Sequence, residues 1–245
     1  MSRGKRIYSD IGVYHIVFRG VNKQPIFQDK KDFNVMYDYL SKVKETIPYG
    51  LYAYCFMTNH VHLLIKENNL GDISNIMKRL LTKYALYFNN KYERSGHLFE
   101  TRYKSKAILT DDHLIASFRY IHLNPVKAKL IEYAKQYEWS SYNEYLTNLE
   151  GITDKSYILN MLDISQIKRL HQLSDEAIDP FNQTAMKLNS LRKEIREVFK
   201  LEPGAISQLP IEERREIVKK LQHKHSYSTI EALTGIKRRT IANYK

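Results

Sequence analysis

The first half of the chain switches repeatedly between strand-like and helix-like hydrophobic spacing, and this alternation constrains its fold more than any other feature. Val13–Arg19 (VYHIVFR) is short, rich in β-branched and aromatic residues, and closed by Gly20, which reads as a strand. Asp29–Thr46 carries Phe33, Met36, Leu40 and Val43 at helical spacing, continued by Ile47, with Asp29 and Asp32 near its start. Two more strands are expected at Tyr52–Phe56 and His60–Lys66, with Met57-Thr58-Asn59 as the turn between them. A second helix covers Ile73–Tyr92, with Ile73, Ile76, Met77, Leu80, Tyr84 and Tyr87 on one stripe and Gly96 after its end. A weaker strand at Arg102–Leu109 and a third helix at Asp112–Leu123, stopped near Pro125, complete the series. The order β-α-β-β-α-β-α is, apart from the last helix, the split βαβ or ferredoxin-like pattern. The expected class is α+β: an antiparallel sheet with two helices on one face and the other face left for a site. RNA-recognition domains share this arrangement, so the fold alone does not separate an enzyme from a binding module.

The best boundary lies within the polar stretch Thr147–Lys155, which contains Gly151. It separates a first domain, residues 1–147, from an all-α second domain, residues 156–245. Helices are expected near Ile164–Leu173, Thr184–Phe199, Pro210–Gln222, Thr229–Leu233 and Arg238–Tyr244. Pro210 suits a first helical turn, and the glutamates after it suit the positive end of a helix. Ile230, Leu233, Ile236 and Ile241, with Gly235 at the turn, match a helix-turn-helix near residues 226–245. Lys237, Arg238 and Arg239 then begin the recognition helix, where side chains reach the major groove. The bland alternative is a three-helix packing module without DNA contact.

Composition narrows the partners. The 245 residues are 43% hydrophobic and 27% charged, as in a globular chain and unlike a disordered one. No apolar run is long enough to span a bilayer, and Met1–Arg6 has no apolar stretch behind it, so no secretory signal is expected. A single cysteine, Cys55, excludes a disulfide framework and an all-cysteine metal site. Only 9 glycines are present, and no glycine-rich phosphate loop is found, so no nucleotide cofactor is expected. A net charge of +12 and 19 tyrosines fit a nucleic-acid binder, in which cations meet phosphates and rings stack on bases. Lys and Arg outnumber Asp and Glu by 22 to 15 in residues 1–150 and by 17 to 12 beyond, so either half can contact nucleic acid.

Two clusters carry chemistry. His60 and His62 are i and i+2 on a strand, so both imidazoles project to one side, about 7 Å apart along the chain, and can converge on one divalent ion. Taken alone, His-x-His also fits a structural pair. On the third helix, Leu114, Ile115, Phe118 and Ile121 share one arc, while His113, Ser117, Tyr120 and Asn124 share roughly the opposite one. A tyrosine facing away from the apolar arc, one turn from an amide oxygen, is unlike a routine core aromatic. His15 reads as structural rather than as a ligand. His97 and His113 suit phosphate contact or plain solvation, and Tyr84, Tyr87 and Tyr92 suit packing. Lys78, Arg79 and Lys83, with Arg102, Lys104 and Lys106, form either a solvated face or a phosphate track.

These clusters sit inside four blocks: Tyr14-His15-Ile16-Val17-Phe18-Arg19-Gly20-Val21-Asn22, Met57-Thr58-Asn59-His60-Val61-His62-Leu63-Leu64, Gly96-His97-Leu98-Phe99-Glu100-Thr101-Arg102-Tyr103-Lys104 and Arg119-Tyr120-Ile121-His122-Leu123-Asn124-Pro125-Val126-Lys127, followed by Trp139-Ser140-Ser141-Tyr142. In order and spacing they resemble the single-tyrosine HUH transposases (the IS200-like family), and within them the REP-associated tyrosine transposases of bacteria. The resemblance implies that His60 and His62 are metal ligands, that Tyr120 is the nucleophile and that Asn124 is the third ligand, where many relatives have glutamine. It further implies Mg²⁺ or Mn²⁺ as cofactor and single-stranded or hairpin DNA as partner. Strands would be cut and rejoined through a 5′-phosphotyrosine by a cytoplasmic, nucleoid-associated monomer or homodimer. The competing readings are a non-catalytic DNA-binding regulator and a metal-dependent nuclease using activated water.

Overall fold

The computed structural model describes residues 9, 11–147, 150–172 and 183–244; Met1–Arg6 and Leu173 lie outside them. The chain divides into two compact units, Met1–Ala177 and Ile178–Lys245.

The first unit runs β1 (Val13–Arg19), α1 (Lys30–Thr46), β2 (Tyr49–Met57), β3 (His60–Glu67), α2 (Asp72–Lys91), β4 (Lys104–Ala107) and α3 (Asp111–Lys127), then the short α4 (Tyr142–Leu146), α5 (Lys155–Leu159) and α6 (Ile164–Gln172). The four strands form an antiparallel sheet in the order β2-β3-β1-β4, which is the ferredoxin-like arrangement. Alternation along the strands sorts the side chains. Tyr14, Ile16 and Phe18, with Val61, Leu63 and Ile65, enter a core shared with Met36, Leu40 and Val43 of α1 and Ile76, Met77, Leu80 and Tyr84 of α2.

A buried carboxylate ties those two helices together. Asp29 and Asp32 form a capping box at the start of α1. Asp32 also accepts hydrogen bonds from Lys91 (2.7 Å), Tyr87 (2.9 Å) and Tyr92 (2.8 Å) of and beside α2.

The second face of the sheet is not free. Val13, Ala53, Cys55 and Leu64 point there and pack against Leu114, Phe118 and Ile121. The apolar arc of α3 needs a partner, and burying each such side chain contributes about 1.5–3 kcal/mol. The helix also runs past Pro125 instead of stopping there. Proline leaves the Ile121 carbonyl without its helical donor. The Asn124 side-chain amide helps fill that gap, donating to Tyr120 O (2.9 Å) and, at longer range, to Ile121 O (3.5 Å). The ladder resumes with Ala128 N donating to Asn124 O and Leu130 N to Pro125 O.

The outer edge of β2 is closed by chain arriving much later. Phe56 N donates to Trp139 O (2.9 Å), Ser141 N to Tyr54 O (3.0 Å) and Asp154 N to Leu51 O (2.8 Å). The Asp154 carboxylate accepts from Leu51 N (2.7 Å) and Lys44 Nζ (2.6 Å). Ile158 and Ile167 are fully buried in the α3-side core. The first unit therefore extends well past the boundary that the polar stretch 147–155 suggests.

In the second unit, α7 (Gln183–Phe199), α8 (Ile211–Gln222), α9 (Tyr227–Thr234) and α10 (Arg238–Asn243) surround Leu191, Ile195, Ile206, Val218, Leu221, Ile230, Ile236 and Ile241. Pro210 is the N-cap of α8 rather than its first turn. Ser226 caps α9, and Gly235 ends it at φ 75°, the left-handed conformation that lets the chain turn into α10.

Candidate active site

The register of β1 on β3 places Val17 opposite His62 and Arg19 opposite His60. Opposed residues of an antiparallel pair share a face, so His15, Val17, Arg19, His60 and His62 all project toward α3. The polar arc of α3 meets them. The Tyr120 ring stands edge-on to His62 (centroids 5.6 Å, 77°) and to His15 (5.9 Å, 64°). The His60 and His62 rings are 5.0 Å apart at 78°. Asn124, 9% exposed, lies one helical turn beyond Tyr120, and Lys127 Nζ sits 4.8 Å from the Tyr120 ring centre. The structure thus brings His60, His62 and Tyr120 into one cluster, with Asn124 next along the helix.

Two neighbours set how the imidazoles are presented. Asn59 Oδ1 lies 2.6 Å from His60 Nδ1. An amide oxygen only accepts, so Nδ1 carries the proton and Nε2 keeps its lone pair. His62 Nδ1 is 3.0 Å from His15 Nε2; with His62 donating, its Nε2 is also left as a ligand atom. Such anchoring of the second ring nitrogen is the usual support for a metal-binding histidine. Burial holds His60 down at about 4, helped by the Arg19 charge. His62 lies well below the ordinary histidine value through burial and then the His15, His60 and Arg19 charges. Burial foremost, then the charges of His113 and Lys106, takes His15 to about 3. All three rings are therefore neutral near pH 7, the form that ligates metal. Two neutral imidazoles on one face suit a divalent ion whose shell is completed by other oxygen donors. Among the described residues no group of three or more His, Cys, Asp or Glu could hold a metal.

Sequence reasoning left three members in the background. Arg19 and Asn59 lie outside the two chemical clusters of the sequence, and His15, which reads there as structural, supports His62 directly. Asn59 sits in the turn just before His60, a signal available in the sequence. His15 and Arg19 depend on the strand register.

The basic residues fall into two groups. Lys104 and Lys106 lie opposite Val17 and His15 on β4 and so share the His60/His62 face. Lys78 and Arg102 line a separate groove of about 840 Å³ between α2 and residues 96–103, beside His97, Phe99 and Tyr103. Arg79 and Lys83 are exposed on α2. His113 is buried at 7% exposure rather than solvated. In the second unit Lys237, Arg238 and Arg239 are exposed at the start of α10, with Arg238 paired to Glu231 at 2.6 Å. Among the described residues no helix is long and apolar enough to cross a membrane.

Comparison with known proteins bears on this cluster. Residues 10–124, which include His60, His62, Tyr120 and Asn124, match the family described as Transposase IS200 like. A Haemophilus influenzae protein provisionally named a REP-associated tyrosine transposase is 28% identical over 156 residues, spanning 58% of this chain and 86% of its own length. A solved structure of a REP-associated tyrosine transposase bound to a REP hairpin superposes with a TM-score of 0.52 at 18% identity, covering 64% of this chain and 96% of that one. At that identity the likeness concerns the fold.

Proposed function

We propose that this chain, whose residues 10–124 match the IS200-like transposase family, cuts and rejoins single-stranded DNA at hairpin-bearing repeats, with Tyr120 as nucleophile. The carrying observation is the placement of the Tyr120 ring edge-on to His62, inside the cluster with its paired imidazoles. The Tyr120 oxygen attacks the scissile phosphorus while the bond to the 3′ oxygen breaks. That oxygen takes up a proton and leaves as a 3′-hydroxyl, and a 5′-phosphotyrosine remains. Rejoining is the reverse attack by a 3′-hydroxyl, so the bond energy is conserved and no ATP is needed. The Lys127 ammonium over the ring offsets negative charge building on the phenol oxygen as its proton departs.

His60, His62 and Asn124 would hold Mg²⁺ or Mn²⁺, which supplies Lewis-acid polarisation of the phosphate. Asn59 and His15 orient the two rings. Lys104 and Lys106 suit the flanking phosphates on the same face, and α10 of the second unit adds DNA affinity through Lys237, Arg238 and Arg239. The setting is the bacterial cytoplasm, where such DNA is found.

Incubation of labelled hairpin oligonucleotides with the protein and Mg²⁺ or Mn²⁺, followed by denaturing gels, tests the reading. A covalent adduct is expected with wild type and none with Tyr120→Phe, while Tyr120→Phe still binds the oligonucleotide. An adduct persisting in that variant assigns the chemistry to another residue, and cleavage without any adduct favours activated water.

A further inference from the structure

We propose that Arg19 is a catalytic residue that grips a non-bridging oxygen of the scissile phosphate. The proposal rests on the reading of Tyr120 as nucleophile, and it adds a residue that neither the histidine pair nor the tyrosine motif identifies.

The argument begins with position. Arg19 is the last residue of β1, directly opposite His60, on the face that carries His15 and His62. Its backbone is held from both sides: Glu100 N donates to Arg19 O (3.0 Å) and Gly20 N donates to Asn59 O (3.0 Å). Gly20 is closely packed, since a Cβ there would collide with Gln24 O. The guanidinium therefore starts from a fixed root, beside the same Asn59 that orients His60.

Its donors are free to meet an anion. Arg19 is partly buried, and among the described residues its five N–H donors have no hydrogen-bonding or ion-pair partner. Its charge is felt at both His60 and His62. A fixed positive charge beside two imidazoles weakens any metal they hold, unless a shared anion lies between the two cations. The phosphate that Tyr120 attacks is such an anion, and its negative charge grows on the equatorial oxygens at the five-coordinate stage. A planar guanidinium offers paired donors to those oxygens without itself gaining or losing a proton. Tyr120 still forms the bond to phosphorus, and the 3′ oxygen still leaves.

The test uses the full-length protein and two oligonucleotides, one natural and one with a single uncharged methylphosphonate at the scissile position. Rates of adduct formation are measured in single turnover at saturating oligonucleotide. With the natural phosphate, Arg19→Ala is expected to slow the reaction about 10²–10³-fold, as for loss of one transition-state donor. Arg19→Lys should recover part of that loss, and oligonucleotide affinity in either variant should change much less than the rate. With the methylphosphonate the gap between wild type and Arg19→Ala should close to a few-fold, because the charge that Arg19 meets has been removed. An equal penalty on both substrates would mean that Arg19 acts only by supporting the fold, and the proposal would fail. It would also fail if both Arg19→Ala and the near-isosteric Arg19→Gln matched wild type. Arg19→Gln serves as the neutral variant should Arg19→Ala not fold. Absence of any wild-type adduct would instead remove the Tyr120 reading, and Arg19 with it.

Discussion

His62 and His15 share one hydrogen bond, and this pair shows how much of the site depends on single contacts. Replacing His15 by Phe keeps a ring but removes the partner of His62 Nδ1. The expected outcome is an apparent Mn²⁺ affinity about 10–100-fold weaker, with adduct formation recovering at excess metal. Titrating Mn²⁺ against adduct rate checks this, and an unchanged half-saturation would reduce His15 to packing. Asp32 gives a second prediction, on stability. Burial pushes its carboxyl up, but hydrogen bonds from Lys91, Gln28 N–H, Tyr92 and Tyr87 more than offset this and hold it below the ordinary value. A carboxyl depressed on folding stabilises fully above its unfolded value, near 4, and loses that contribution as pH falls through the folded value. Asp32→Asn should cost about 1.5–3 kcal/mol at pH 7, as for loss of charge-assisted hydrogen bonds while Lys91 keeps Asp29, and less at pH 3. Urea melts at the two pH values decide it; equal losses would show that the charge is not what matters. At this scale the sequence disclosed what lies within one strand or one helix. That His60 and His62 share a strand face follows from alternation, and that Tyr120 and Asn124 share a helix arc follows from helical spacing; their chemical roles are what the family resemblance implies. The roles of His15 and Arg19 are set by register against a strand more than 40 positions away, which no local pattern encodes.

Elements were legible in kind and order, less so in extent. β1 runs from Val13 to Arg19 as its composition indicates, whereas β2 reaches Tyr49–Met57, beyond the expected Tyr52–Phe56. The extra length is stabilised by pairing with β3 on one side and with residues 139–154 on the other, contacts invisible from the segment itself. α3 continues through Pro125, and the Asn124 amide partly satisfies the one carbonyl that the proline frees, Ile121 O, a local repair that proline statistics do not foresee. For α10 the prediction concerns salt. If Lys237 and Arg239 meet phosphates, each alanine substitution should lower the slope of log K against log salt by about 1. Arg238→Ala should change it less, because Arg238 is already paired with Glu231. Filter-binding or fluorescence anisotropy between low and physiological salt provides the slopes, and equal slopes for all variants would mean that α10 does not touch DNA.

At the scale of the whole molecule, the sequence suggests a boundary in the polar stretch 147–155, whereas the chain divides into compact units between Ala177 and Ile178. The polar stretch 147–155 resembles a linker, yet it delivers Asp154 to the edge of β2 and leads on to Ile158 and Ile167, which are fully buried with α3. A fragment ending at residue 147 therefore loses two buried aliphatic side chains, each contributing about 1.5–3 kcal/mol, together with the Asp154 contacts. That is comparable with the entire stability of many domains. The expected outcome is that residues 1–177 melt cooperatively and still form the adduct, while residues 1–147 melt at a much lower temperature; circular dichroism and denaturing gels make the comparison, and equal melting temperatures would refute it. The closing of β2 by residues 139–154 also has a consequence in time. A ribosome makes the chain from one end, at about 5–20 residues per second. The β2 edge is synthesised nearly a hundred positions before the segment that covers it, so for roughly 5–20 s of translation the nascent sheet presents an open strand edge to its neighbours on the polysome.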